Sequence, residues 1–170
     1  MIYDAIEAVY TTVNANFNTD LAALVSAKGL SGLTTSATLF KRQRAETFVE
    51  LGAAANGQLP AIGIYGTAVT TEAKWQGKRD PECTVVLDYY ARGTDPVKLA
   101  QQTELAAEAL LLSIDKVYPT AAGGAGEGFG SINIELTDAY METDKPDSQT
   151  AKNYGHRAIV TFIVVDRDVI

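Results

Sequence analysis

His156 is the single histidine and Cys83 the single cysteine in 170 residues, and this limits the available chemistry before any fold is considered. A Ser-His-Asp or Cys-His site would have to use His156. It stands beside Arg157 at the start of an apolar run with no nucleophile motif nearby, so it reads as structural or exposed. A lone thiol forms no internal disulfide and builds no thiolate zinc site; within its apolar run, Cys83 reads as a small hydrophobe. The carboxylates lack the spacing of a calcium loop, and an imidazole metal site would need a cluster that is not there. Asp88, Glu135 and Asp138 fall on or beside predicted strands and would make an acid and base if the fold joined them, though nothing in the sequence shows that they converge. The run GGAGEGFG (123–130) follows a helix, has no Lys-Ser/Thr ending and misses the dinucleotide spacing, so it reads as a flexible loop. No cofactor and no metal are expected.

The totals point the same way. Hydrophobic residues make up 46% and charged residues 21% of the chain, an ordinary globular balance. A chain of this length buries enough surface to form one core without staples. The expectation is a single α+β domain over 1–170, with a helical and irregular region (1–58) before a sheet-and-helix core (59–170). Met1 to Tyr10 carries Asp4 and Glu7 and no basic cluster, which is not the pattern of a secretory signal. No apolar stretch reaches membrane-spanning length, so the expected product is cytoplasmic, with no membrane partner. A formal charge of −7 disfavours a phosphate clamp and favours a surface past which a polyanion slides.

The elements that must position these residues follow from periodicity. Ile2, Ile6, Val9, Tyr10, Val13 and Phe17 recur at three and four, one stripe of an amphipathic helix. Thr19 and Asp20 suit the cap of a second helical piece through Leu21, Leu24 and Val25, with Gly29 as terminator. Ser31 to Thr38 reads as loop, and LFKRQRAETFVEL (39–51) as either a short helix or an edge strand. Ala61, Ile62, Ile64 and Tyr65 make a short strand, and Glu82 to Arg92 a second with alternating faces. Between them a polar connection from Glu72 to Asp80 is expected to stand out from the sheet. Asp95 as cap and Pro96 in the first turn open a helix whose stripe is Val97, Ala100, Ala107, Leu110, Leu111, Ile114 and Val117. Ile132, Ile134 and Leu136 start a third strand. A last strand, about Tyr154 to Val169, is apolar on both faces, which suits a central position or a face covered by a neighbouring chain. The sum is an α+β layer: a mostly antiparallel sheet of four strands or slightly more, with helices packed on one face.

The opening helix, the strand after Leu59-Pro60, the charged connection, the strand CTVVLDYYARG, the helix DPVKLAQQTELAAEALLLSI and the final SINIELTDAYMETD and GHRAIVTFIVVDRD together resemble the tail-terminator and neck proteins of long-tailed bacteriophages. The resemblance covers most of Leu59 to Ile170 plus the first helix and rests on element order and texture; the long Leu21 to Gln58 region departs from it. It implies a hexameric ring that caps the tail tube, stops its polymerisation and docks the head. The implied partners are further copies, the tail tube protein and the head-completion or connector protein, with DNA passing through unbound. The implied location is the virion neck, after assembly in the host cytoplasm.

Two surfaces are candidates for such contacts. Val86, Tyr90, Ile159, Ile163 and Val165 would form a large apolar patch if exposed, and such patches mark association surfaces; the alternative is that the N-terminal helices cover them. Lys74, Trp75, Lys78 and Arg79 in the polar connection read as a subunit or tube contact anchored by Trp75, or as a solvated turn whose Trp folds back. The basic run Lys41 to Arg44 reads either as a contact for DNA or an acidic partner or as a solvated face. Three functional classes follow: a ring-forming terminator or head–tail adaptor, a small-ligand or peptide binding domain, and a carboxylate enzyme.

Overall fold

The computed structural model describes residues 2–45, 59–73, 79–116, 129–137, 140–141 and 154–165. Helix α1 (Ile2–Ala27) is followed by strands β1 (Thr38–Lys41), β2 (Ala61–Ala73) and β3 (Arg79–Gly93), helix α2 (Pro96–Asp115), and strands β4 (Phe129–Leu136), β5 (Tyr140–Met141) and β6 (Tyr154–Val165). The six strands form one sheet in the order β1-β2-β3-β6-β4, with β5 also paired to β6. β1 runs parallel to β2, and every other pairing is antiparallel. This is the expected α+β layer, with β6 in the central position that its two apolar faces suggested.

Both helices lie on one face. Ile6, Val9, Val13, Phe17, Leu21 and Val25 of α1 share a core with Leu99, Ala106, Leu110 and Ile114 of α2. Ile62 and Ile64, Val85, Leu87 and Tyr89, and Val160 and Phe162 rise into it from β2, β3 and β6. Side chains such as Val13 and Phe17, fully buried, each contribute about 1.5–3 kcal/mol.

Helix α1 does not break at Thr19–Asp20; it is one 26-residue helix. Asp20 instead turns outward to Lys116 at the end of α2, 2.6 Å from Nζ, and accepts from Ser113 Oγ at 3.4 Å. The terminator at Gly29 is as expected. Its φ of +64° suits glycine. Gly29 N–H donates to Ser26 O and Leu30 N–H to Val25 O, the paired bonds of a Schellman ending.

Helix α2 starts where predicted, with Asp95 Oδ1 accepting from the N–H of Val97 at 3.0 Å and of Lys98 at 3.2 Å. Its buried stripe is rotated from the expected one. Val97 is 66% exposed, whereas Leu99, Gln102 and Thr103 are buried. Gln102 is satisfied on both sides, donating to Tyr89 Oη at 2.8 Å and accepting from Thr34 N–H at 3.0 Å. Burial pushes the Tyr89 phenol far above its ordinary range.

The segment at 39–51 resolves in part. Thr38–Lys41 is an edge strand, and the chain then crosses β2 on the face opposite α1 and α2. A Cβ on Gly63 would come within 2.2 Å of Gln43 O, so only glycine admits this crossing. The β2–β3 hairpin is longer than expected: pairing continues to Ala73↔Arg79, so Glu72, Arg79 and Asp80 lie in its arms.

Candidate assembly surface

The face opposite α1 and α2 divides, among the described residues, into a covered half and a more open one. On the covered half, Ala45, Ala61 and Tyr90 form a second cluster with Phe40 and Leu59 against it. Tyr90 is therefore 2% exposed, and Val86 on the same face is 5% exposed. The patch expected to carry both is corrected here. Over Tyr90 the cover comes from Phe40 of β1, Ala45 after it and Leu59, while α1 and α2 pack on the opposite face. Ile159 and Ile163 are half-buried on the open half, beside Thr84 and Thr161. The side chain of Val165 lies outside the described residues, as do Lys74, Trp75 and Lys78 entirely and the Arg79 side chain.

Between the halves lies an ion pair. Asp88, fully buried, receives Arg157 Nε on Oδ1 at 2.6 Å and Arg157 Nη2 on Oδ2 at 2.8 Å. Ala45 N–H donates to Oδ2 at 3.2 Å. Two cationic donors and an amide satisfy the carboxylate, which a buried charge requires. Asp88 is thus occupied structurally. Glu135 shares its face but stands two strands away, across Ile159, and bonds to Asn133 at 3.0 Å. Asp138 lies outside the described residues. His156 is buried on the helix side opposite Ala91, and Cys83 is buried in the main core. The described residues hold no cluster of His, Cys, Asp and Glu able to bind a metal ion. Among them no helix is long and apolar enough to cross a membrane.

The basic run divides between two roles. Lys41 and Arg42 both pair with Glu7 of α1, and each lies over a ring, Lys41 Nζ 4.3 Å from the centre of Tyr10 and Arg42 Cζ 4.4 Å from that of Tyr3. Those bonds hold the Glu7 carboxyl below its ordinary value, Lys41 first and Arg42 second. Arg42 itself takes a left-handed φ of 62°. Arg44 points the other way, its Cζ 5.7 Å from the Tyr65 ring. Arg42, Gln43, Arg44, Tyr65 and Gly66 line a cleft of about 410 Å³ beside the end of β1. Burial raises the Tyr65 phenol, with the Asp88 charge acting in the same direction.

Both ends of the sheet are open among the described residues. β4 pairs with β6 alone, and Ile134 and Leu136 are 41% and 47% exposed. At the other end β1 covers β2 only as far as Ile64, and Val69 beyond it is 42% exposed. The sequence pointed to apolar surface on β3 and β6. The exposed apolar side chains on the sheet instead sit at its edges, where alternation predicts a face but not the lack of a neighbour.

Comparison with known proteins finds no matching protein family and no matching curated protein. Among solved structures, the chain is similar to one from the virion of a native gene transfer agent particle. Identity is 12% over 95% of this chain and 94% of that one, and the TM-score is 0.38. A likeness that remote assigns no role.

Proposed function

We propose that this chain is a structural subunit that works by self-assembly, a virion protein forming the terminator ring at the neck of a long-tailed phage. The reading is carried by the sheet's two ends, which among the described residues have no further strand beside them and expose apolar side chains. An unpaired edge is a template for another strand, and contact through two different edges generates rings when the rotation closes. The element order described above adds to it. In this reading the ring is a hexamer that stops the tail tube and docks the head connector. A chain of charge −7 supports a lumen past which DNA slides unbound. The residues have no catalytic task, and the open half-face with Ile159 and Ile163 and the arm near Trp75 are the surfaces offered to the tube.

The experiment is native mass measurement over a concentration series, alone and with tail tubes, followed by electron microscopy of the tube ends. The expected result is a discrete assembly of the 18.1 kDa chain, seen as a ring closing the tube. A chain that stays monomeric at high concentration and leaves tubes uncapped overturns the reading. A ring found on the head portal side makes the protein an adaptor instead.

A further inference from the structure

β4 ends the sheet with an edge that nothing among the described residues covers. Asn133 to Thr137 are all exposed, Ile134 by 41% and Leu136 by 47%. The strand, FGSINIEL, contains no Lys, Arg or Pro, the residues that ordinarily blunt an edge. β5 continues the line of β4 along β6, at Gly155 and Tyr154, and leaves the outer side of β4 clear.

The direction of its backbone groups follows from one bond. Thr137 N–H donates to Arg157 O at 3.0 Å, one step beyond the Leu136↔Ala158 pair. In an antiparallel ladder, residues that turn both backbone groups to one neighbour alternate with residues that turn both away. Asn133, Glu135 and Thr137 therefore bond to β6, and Ile132, Ile134 and Leu136 turn N–H and C=O outward. Ile134 and Leu136 stand opposite Val160 and Ala158 of the main core and so lie on the helix side, with Asn133 and Glu135 on the other face.

We infer that two copies of this chain pair through β4, antiparallel about a two-fold axis at Ile134. The pairing goes beyond the ring reading and does not depend on it. Centred there, Ile132, Ile134 and Leu136 exchange both backbone bonds with Leu136, Ile134 and Ile132 of the second copy. Asn133 falls opposite Glu135 of the second copy on each side of the axis. Within one chain Asn133 Nδ2 donates to Glu135 Oε1 at 3.0 Å; the amide keeps a second hydrogen and the carboxylate a second oxygen for the bond across the axis. The adjacent registers are worse. A centre at Glu135 sets two carboxylates face to face. A centre at Asn133 runs Leu136 into the irregular stretch between Phe129 and Ile132.

The axis stands perpendicular to the sheet, so the helices of both copies keep to a common face. Ile134 and Leu136 of the two copies share that side, flanked by α2 of each, which reaches β4. Pairing takes them out of water as it fills the edge. An edge engaged with its twin is closed to other strands, and a contact about a two-fold axis stops at two copies. The free chain is thereby kept from adding edge to edge, and any assembly that uses β4 must open the pair first.

Sedimentation and native mass measurement of the free chain test the pair, with a charge swap at its axis. Wild-type protein is expected as a dimer. Ile134→Lys and Ile134→Glu, each of which sets like charges opposite, are expected to be monomers with unchanged circular dichroism, and their mixture to re-form a dimer. Wild-type protein that stays monomeric, or either variant as dimeric as wild type, overturns the inference. The register is tested by mixing a chain carrying Asn133→Cys with one carrying Glu135→Cys, both in a Cys83→Ala background, because opposed residues of this kind lie about 4.5 Å apart at Cα, within disulfide reach. A covalent dimer is expected in the mixture and from neither chain alone; equal linkage of each chain with itself overturns the register. Tubes capped by a chain that is monomeric when free would sink the pair and leave the ring reading standing, whereas a dimer that leaves tubes uncapped does the reverse.

Discussion

Arg157 grips Asp88 through two parallel hydrogen bonds across adjacent strands, at 2.6 and 2.8 Å, on the face of the sheet opposite α1 and α2. The carboxylate is fully buried and the Arg157 side chain is 16% exposed. Removing one partner strands the other charge, whereas removing both leaves an apolar pair.

Arg157→Met should therefore destabilise the fold by about 3–5 kcal/mol, and Asp88→Leu with Arg157→Met should recover much of that loss. Urea denaturation of the two variants beside the wild type measures both. Equal losses in the single and double variants would show that Asp88 is held by something other than Arg157.

Two glycines separate strain from space. A Cβ at Gly29 meets nothing within 4 Å, so Gly29→Ala should cost only the left-handed backbone, about 1 kcal/mol. At Gly63 the φ is ordinary, but the new carbon would lie 2.2 Å from Gln43 O and 2.7 Å from Ala45 N. Gly63→Ala should cost more, about 1–3 kcal/mol, by lifting 43–45 off the sheet and loosening the amide on Asp88. Thermal melts give the order, and amide exchange at Ala45 shows where the second variant opens.

The Glu7 carboxylate predicts an acid limb. Lys41 and Arg42 lower its pKa in the folded chain below the ordinary 4.5. A depressed carboxylate stabilises the fold above its unfolded pKa, and the contribution disappears as pH falls through the folded value. Glu7→Gln should thus be less stable than wild type at pH 7, with the gap closing as the pH drops below 4.5. Melting temperatures from pH 7 to pH 3 test it; a gap that stays constant would rule out the charge as its origin.

Local rules carried far into this structure. The Asp95-Pro96 start of α2 and the Gly29 stop of α1 are set by a few atoms and were readable in one dimension. The apolar run of β6 foretold an interior strand, and β6 is flanked by β3 and β4. Long-range partners were hidden. Thr19-Asp20 carries a good cap signal, but the stripe through Phe17, Leu21 and Val25 continues across it, and burial of that stripe prevails. Val97 suits the stripe of α2 by spacing, yet rotation of the helix on the sheet is fixed by Leu99 and Leu110, which leaves Val97 in solvent. Asp88 did leave a trace: a charge amid CTVVLDYY demands a cation, and Arg157 opens the other long apolar strand. The cover over Tyr90 had no such signal, because it comes from Phe40, Ala45 and Leu59, scattered side chains without a repeating spacing. The open edges were invisible for a related reason, since strand order is not a property of any one strand.

An interior strand of the sheet, β6, is also the last of the described strands along the chain. β3 and β4 never touch each other; each is completed only by β6. Until residue 165 has left the ribosome, a nascent chain exposes both of those flanks, with Val85, Leu87 and Tyr89 lacking the wall that Val160 and Phe162 provide. Folding of this sheet must therefore wait for β6 to arrive, and a truncated or stalled product would be sticky in the cell.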